Sequence, residues 1–283
     1  MKPRKSNSGI PGFLYGTKAG RIILKPLISQ RFSEFAGKIL STRFSGIAIG
    51  PFIRKNGIDM SIYEKKKYGS FNEFFSRKII SGAREIDMDP CHFISPCDSS
   101  LTVVPITEDG AYLIKDTPYT AESLLRNREL AEEYYGGRIL IFRLSVTDYH
   151  RYCFACSGTT HGQVKIPGVF HTVQPIANDF FPVYKENTRE YCIEETDRFG
   201  TIIQMEVGAL MVGKIVNHDT EDHVERGQEK GFFRFGGSTV IIMVKKGLLN
   251  VDARIMDNSR ENIETKVNYG EKIGEAANSG ESH

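Results

Sequence analysis

Three residues of this 283-residue chain have the types and settings that catalysis uses. Ser238 follows two glycines in Gly236-Gly237-Ser238-Thr239, between Phe232-Phe233-Arg234-Phe235 and the apolar run Val240-Ile241-Ile242-Met243-Val244. The glycines permit backbone angles that a Cβ resists, and a serine held after such a turn presents a nucleophilic hydroxyl. The same residue types also build an ordinary hairpin turn. His150, in Asp148-Tyr149-His150-Arg151, carries an imidazole that titrates near working pH; a core or surface histidine is the plainer reading. Asp98, in Ser95-Pro96-Cys97-Asp98, taken alone reads as a turn carboxylate after proline. Cys153-x-x-Cys156 has a metal or redox spacing, but no second such pair exists and the stretch reads as a strand. Two core thiols, and no metal site, are therefore expected.

The elements that must position these residues are mostly strands. From Cys91 onward short β-type runs alternate with turns: Leu101–Pro105, Ala111–Lys115, Arg138–Leu144, Tyr152–Ser157, Gly162–Ile166, Tyr191–Glu195, Thr201–Val207, Met211–Val216, Ser238–Val244 and Leu249–Asp252. Phe232, Phe233 and Phe235 lead into Ser238 as a further short strand. Two helices are expected near them: Ser70–Ile80, with Ser70 as N-cap and Glu73 in the capping-box position, and Ala121–Tyr135 behind Thr120. Strands this dense with few helices between them argue for antiparallel sheets and against a βαβ array. The expected fold is α+β, a predominantly antiparallel β core with an N-terminal helical, membrane-associating segment. Its parts are a basic amphipathic segment (residues 1–60), a mixed α/β catalytic domain (61–255) and a polar, frayed C-terminal tail (256–283).

The net charge of +2 hides an asymmetry. Residues 1–60 hold eleven Lys/Arg against Glu34 and Asp59, near +9, which leaves the remainder near −7. A basic end on an acidic body suggests an anionic surface as partner, and no nucleic acid. Within it, Arg31–Phe44 places Phe32, Phe35, Ala36, Ile39 and Leu40 on one helical stripe with Arg31, Lys38 and Arg43 off it. Such a helix either caps the core or lies in a lipid headgroup region. No apolar run is long enough to span a bilayer, no secretory signal is evident, and the five cysteines fit a reducing setting.

Four short motifs stand in order: Phe71-Asn72-Glu73-Phe74-Phe75-Ser76-Arg77, Pro96-Cys97-Asp98, Asp148-Tyr149-His150-Arg151 and Gly236-Gly237-Ser238-Thr239. In that order they resemble the phosphatidylserine decarboxylase family, and the likeness runs from about Tyr63 to Lys246. The resemblance implies a lipid-directed decarboxylase whose cofactor is a pyruvoyl group made from its own serine. Ser238 Oγ attacks the Gly237 carbonyl, the peptide becomes an ester, and elimination and hydrolysis leave the pyruvoyl and ammonia. Residues 1–237 and 238–283 become β and α chains of one precursor, with a homodimer of that pair expected. A serine hydroxyl is a weak nucleophile, so the resemblance assigns His150 as base and Asp98 as its orienter. It also implies a phospholipid substrate and peripheral attachment to an anionic membrane surface, the cell membrane on its cytoplasmic side.

This chain departs from the family pattern where many members carry a second histidine three residues after the first; that position is Cys153. His171 is the other imidazole available to share the work. Asn187 and Arg189 match a family segment containing N-x-R, where an arginine can hold a phosphate or carboxylate, or simply make a loop salt bridge. Two other readings stay open: a pyruvoyl decarboxylase of another serine lipid or a soluble amino acid, and a non-catalytic β module that binds membranes.

Overall fold

Arg138–Leu144 and Ser238–Val244 are among the least polar runs of the chain, and they become adjacent central strands of one sheet. The computed structural model describes residues 38–64, 67–115, 117–170, 185–208, 215–219, 222–235 and 238–277. Among these the strands are β1 (His92–Ile94), β2 (Ser99–Pro105), β3 (Tyr112–Ile114), β4 (Thr117–Tyr119), β5 (Arg138–Leu144), β6 (Arg151–Cys153), β7 (Gly158–Ile166), β8 (Val169–Phe170), β9 (Lys185–Glu186), β10 (Arg189–Thr196), β11 (Gly200–Val207), β12 (Ile215–Asn217), β13 (His223–Val224), β14 (Glu229–Phe233), β15 (Ser238–Val244), β16 (Leu249–Val251), β17 (Thr265–Val267) and β18 (Lys272–Ala276). The helices are α1 (Ile49–Asn56), α2 (Phe71–Phe75), α3 (Ala121–Leu125), α4 (Arg128–Glu132) and α5 (Ala253–Arg260), with a 3-10 turn at Arg43–Ala48.

Eight strands form the main sheet, in the order β13-β7-β10-β11-β15-β5-β2-β17, each pair antiparallel. All seven residues of β15 are buried, because both sheet faces are covered. Alternation along the strands assigns the faces. Leu140, Phe142, Val240, Ile242 and Val244 pack under the small sheets β12-β14-β6 and β1-β18-β16, in one core with Tyr152, Phe233 and Ile273. Ile139, Ile241, Met243, Ile203 and Met205 face the other way, onto α3, α4 and the β3-β4 hairpin. The β-rich, antiparallel α+β expectation holds in this form.

Several boundaries differ from the sequence expectation. The helix expected over Ala121–Tyr135 divides in two, because Arg126 takes the left-handed conformation (φ 49°) and Asn127 caps the second piece by accepting from Leu130 N–H. The helix expected over Ser70–Ile80 stops at Phe75, and Ile79 bridges to Tyr63 instead. The tail expected to fray from 256 is structured as far as 277. It holds the end of α5, then β17 on the main sheet beside β2, then β18 between β1 and β16. Residues 1–37, the first half of the expected amphipathic helix Arg31–Phe44 among them, lie outside the described residues. Downstream, Leu40, Ile49, Phe52 and Ile53 pack on Phe71, Phe74 and Phe75 of α2, while Phe44 and Ile47 stand 83% and 79% exposed.

Candidate active site

Ser238 opens β15 opposite Leu144, the last residue of β5, and is buried on the Val240 face of the sheet. From Leu144 the chain turns through Ser145–Asp148. The Asp148 carboxylate closes that turn, accepting from Ser145 N–H at 2.7 Å and from Lys266 Nζ at 2.8 Å. His150 comes next, and its carbonyl accepts from Phe233 N–H at 2.9 Å. The segments 144–150 and 233–238 are thus tied to each other at both ends, by Leu144 with Ser238 and by His150 with Phe233. That ring carries the imidazole and the hydroxyl on facing segments.

The His150 ring is wholly buried. Its Nδ1 lies 2.8 Å from the Asp148 carbonyl oxygen, which can only accept, so the proton sits on Nδ1 and Nε2 keeps its lone pair. Nε2 is buried and has no hydrogen-bond partner among the described residues. The ring stacks on Phe75, centroids 3.7 Å apart and planes tilted by 36°. Burial pulls the imidazole down to about 3, the Asp148 carbonyl opposes that pull, and the Arg77 and Lys115 cations add to it. His150 is therefore a neutral imidazole with an open acceptor atom. It takes a proton readily only where negative charge develops beside it.

Asp98 is furnished differently. Pro96 accepts from Cys153 N–H at 3.0 Å, which brings the Ser95–Asp98 turn against the far end of β6. The Asp98 carboxylate pairs with the Arg84 guanidinium and accepts from Tyr269 N–H at 2.8 Å. The bond to the His150 ring comes from the Asp148 backbone, where sequence reasoning had placed the Asp98 side chain. Cys153 points its thiol at the Pro96 carbonyl (3.5 Å), and burial pushes that thiol up to about 12, so it offers no base. Cys156 is a core thiol beside it. Gly236, Gly237 and His171 lie outside the described residues.

Asn187 and Arg189 are brought together, but inward. Arg189 is fully buried against the end of α3, donating to the carbonyls of Leu124 (2.6 Å), Ser123 (2.5 Å) and Asn187 (3.1 Å), with Tyr119 under its guanidinium. Asn187 Nδ2 donates to the Gly208 carbonyl at 2.9 Å, and its backbone N–H donates to the Tyr119 phenol oxygen at 2.7 Å. In this geometry these bonds brace β10 against α3, the structural one of the two roles that the sequence left open. A buried arginine whose donors meet backbone carbonyls has the sequence signature of a ligand-binding one.

Sequence reasoning missed four neighbours of the site. Phe75 stacks on the His150 ring, and Arg84 pairs with Asp98. Asn72 accepts from Phe235 N–H at 3.1 Å. Glu206, in register with Val240 and so on the Ser238 face, forms a buried pair with Lys230, Nζ to carboxylate 2.7 and 2.8 Å. A charge within the strand-like run Ile202–Val207, two residues after the polar Gln204, was the available signal for that pair.

The sequence model of the family described as phosphatidylserine decarboxylase matches residues 71–275. The chain belongs to that family. It is similar to phosphatidylserine decarboxylase proenzyme 2 of Clostridium acetobutylicum, 47% identical over 264 residues that cover 93% of this chain and 90% of the relative. The proenzyme of Clostridium perfringens strain SM101 is 39% identical over 266 residues (92% and 90%), and that of Fusobacterium nucleatum 36% over 272 residues (94% and 91%). The match spans α2, the Asp98 turn, the His150 segment and Ser238 alike.

Proposed function

We propose that this chain decarboxylates phosphatidylserine to phosphatidylethanolamine with a pyruvoyl group that it makes by cutting itself between Gly237 and Ser238. The observation that carries the reading is the His150 Nε2 atom, buried, proton-free and without a partner among the described residues, on the segment tied to the one that carries Ser238. A buried polar atom left unpaired costs free energy, on the order of 1–3 kcal/mol, and such sites concentrate where chemistry is done.

The residues present fit the group. Ser238 Oγ adds to the Gly237 carbonyl carbon and gives up its proton, for which His150 Nε2 is the acceptor. The Gly237–Ser238 C–N bond breaks and an ester forms. Loss of the residue 238 Cα proton expels Gly237 as a carboxylate and leaves dehydroalanine; water then releases ammonia. The pyruvoyl carbonyl, once made, supplies the electron sink that an amino acid lacks when it loses carbon dioxide. His150, charged at Nε2, is the acid of this segment for returning a proton. The apolar walls of Phe75 and Phe235 keep water from competing for that proton.

The substrate side rests on the N-terminal part. Phe44 and Ile47 project next to Arg43, with Arg54 and Lys55 in the last turn of α1. Apolar side chains amid cations suit a shallow seat in an anionic leaflet, on the cytoplasmic side. No helix among the described residues is long and apolar enough to cross a membrane. The test is turnover on vesicles. Phosphatidylserine in mixed vesicles should yield phosphatidylethanolamine, with binding that weakens as salt rises because charge is screened over about 10 Å at 0.1 M. Turnover of free serine with none on lipid would assign a soluble substrate instead.

A further inference from the structure

The motif that the chemistry leaves without a task is Phe71-Asn72-Glu73-Phe74-Phe75. As α2 it is only five residues long, too short to persist alone. It is held from outside. Ser70 Oγ accepts from Glu73 N–H at 3.2 Å, and Glu73 reaches back to Gly69 N–H at 2.6 Å. Ser45 Oγ accepts from Phe71 N–H at 2.8 Å. At the other end the Ser76 carbonyl accepts from Arg151 Nε at 2.9 Å, and Arg151 in turn pairs with Glu229 at 2.6 Å.

What this braced turn holds is the pair of segments that carry the reacting groups. Positions 71 and 75 share a helix face, with 72 beside them. Phe75 lies against the His150 ring at 3.7 Å and against Phe235 at 5.1 Å. Phe71 meets Phe235 edge-on at 5.3 Å. Asn72 Oδ1 accepts from Phe235 N–H at 3.1 Å. Phe235 is therefore fixed by its backbone and on two sides of its ring, three residues before Ser238. Ser238 is fixed by its pairing with Leu144. The chain enters and leaves Gly236-Gly237 at two anchored points, and the imidazole is anchored by the same helix.

Resting on the reading of Ser238 as the self-cleaving residue, we propose that α2 is the clamp of self-processing, with Asn72 and Phe75 as positioning residues that hold Phe235, on the approach to Ser238, and the His150 ring in one arrangement. Asn72 acts through the Phe235 amide, and Phe75 through both rings. The glycine pair needs such anchors more than other residues, because glycine leaves the chain the widest choice of backbone conformations. Misplacing reacting groups by about 1 Å costs on the order of a hundredfold in rate.

The experiment follows conversion of pulse-labelled, full-length precursor in cell-free translation, read as one band becoming two. Asn72→Ala should slow conversion by at least about tenfold. Asn72→Asp keeps an oxygen for Phe235 N–H and should restore most of the rate. Ser41→Ala removes only the hydroxyl that accepts from Asn72 Nδ2 (2.9 Å) and should convert like the wild type. Phe75→Leu opens the imidazole to water, so the acid limb of the conversion rate should move to higher pH. Melting temperatures are taken for the same substitutions in an uncleavable Ser238→Ala background, with Ile255→Val in the α5 core as a destabilised control. Conversion of Asn72→Ala at the wild-type rate overturns the clamp, as does a slowing no greater than that of an equally destabilised Ile255→Val. A wild-type precursor that stays whole overturns the reading of Ser238 instead.

Discussion

The two ends of β6 carry two groups that look alike in sequence and are furnished in opposite ways. At its start, His150 has one ring nitrogen bonded to a backbone carbonyl and the other buried with no partner among the described residues. Beyond its end, the Asp98 turn docks on Cys153, and its carboxylate is met by a guanidinium and a backbone N–H. A buried group with its partners in place is an anchor, and displacing it releases nothing. A buried group missing a partner destabilises the fold and keeps the capacity to react. The proposed chemistry therefore rests on the His150 end, and in this geometry the Asp98 carboxylate is tied to Arg84 and Tyr269.

The largest effect expected from this contrast is on His150. His150→Ala should reduce self-cleavage by roughly 10²–10⁴-fold, the usual worth of a general base, measured as precursor conversion. Asp98→Ala should act first on stability. It leaves the Arg84 guanidinium without its carboxylate, a loss of about 1–3 kcal/mol in denaturant unfolding, with a smaller slowing of conversion. Conversion abolished in Asp98→Ala at unchanged stability would invert the comparison and make Asp98 the orienting group after all.

A smaller effect concerns acid. The folded imidazole of His150 sits at about 3 and the unfolded one near 6.5. Between those values the unfolded chain binds the extra proton, so this group's contribution falls as pH drops below about 6.5, by about 1.4 kcal/mol per unit at most. Urea unfolding of Ser238→Ala protein at pH 7, 6 and 5 should show that slope, and His150→Gln in the same background should remove part of it. Identical slopes would mean that the ring is hydrated in the folded protein.

The parts of this arrangement that were legible in the sequence share a cause. β5 and β15 have the limits expected of them because each carries a dense β-branched and apolar centre, Ile139–Phe142 and Val240–Val244, that a covered sheet interior selects. Ser238 and His150 were legible through residue type and motif order. The partner of His150 was not, because a backbone carbonyl leaves no trace in residue identity. Arg189 was legible as a cation, but nothing in its letter tells whether its donors meet a ligand or the end of α3. The C-terminal strands were missed for a related reason. In β17 only Thr265 and Val267 turn inward and Lys266 turns out, and three residues are too few for alternation to stand out from a polar tail. The αL residue Arg126, which divides the expected long helix, is a tertiary choice that a good helix former does not advertise.

Self-cleavage at Ser238 is tested most directly by the intact mass spectrum of the purified full-length protein. Two chains are expected, one ending at Gly237 and one beginning at residue 238, the smaller lighter than its encoded sequence by one ammonia and blocked at its amino terminus. A single unbroken chain, or a small chain with a free Ser238 amine, would contradict it.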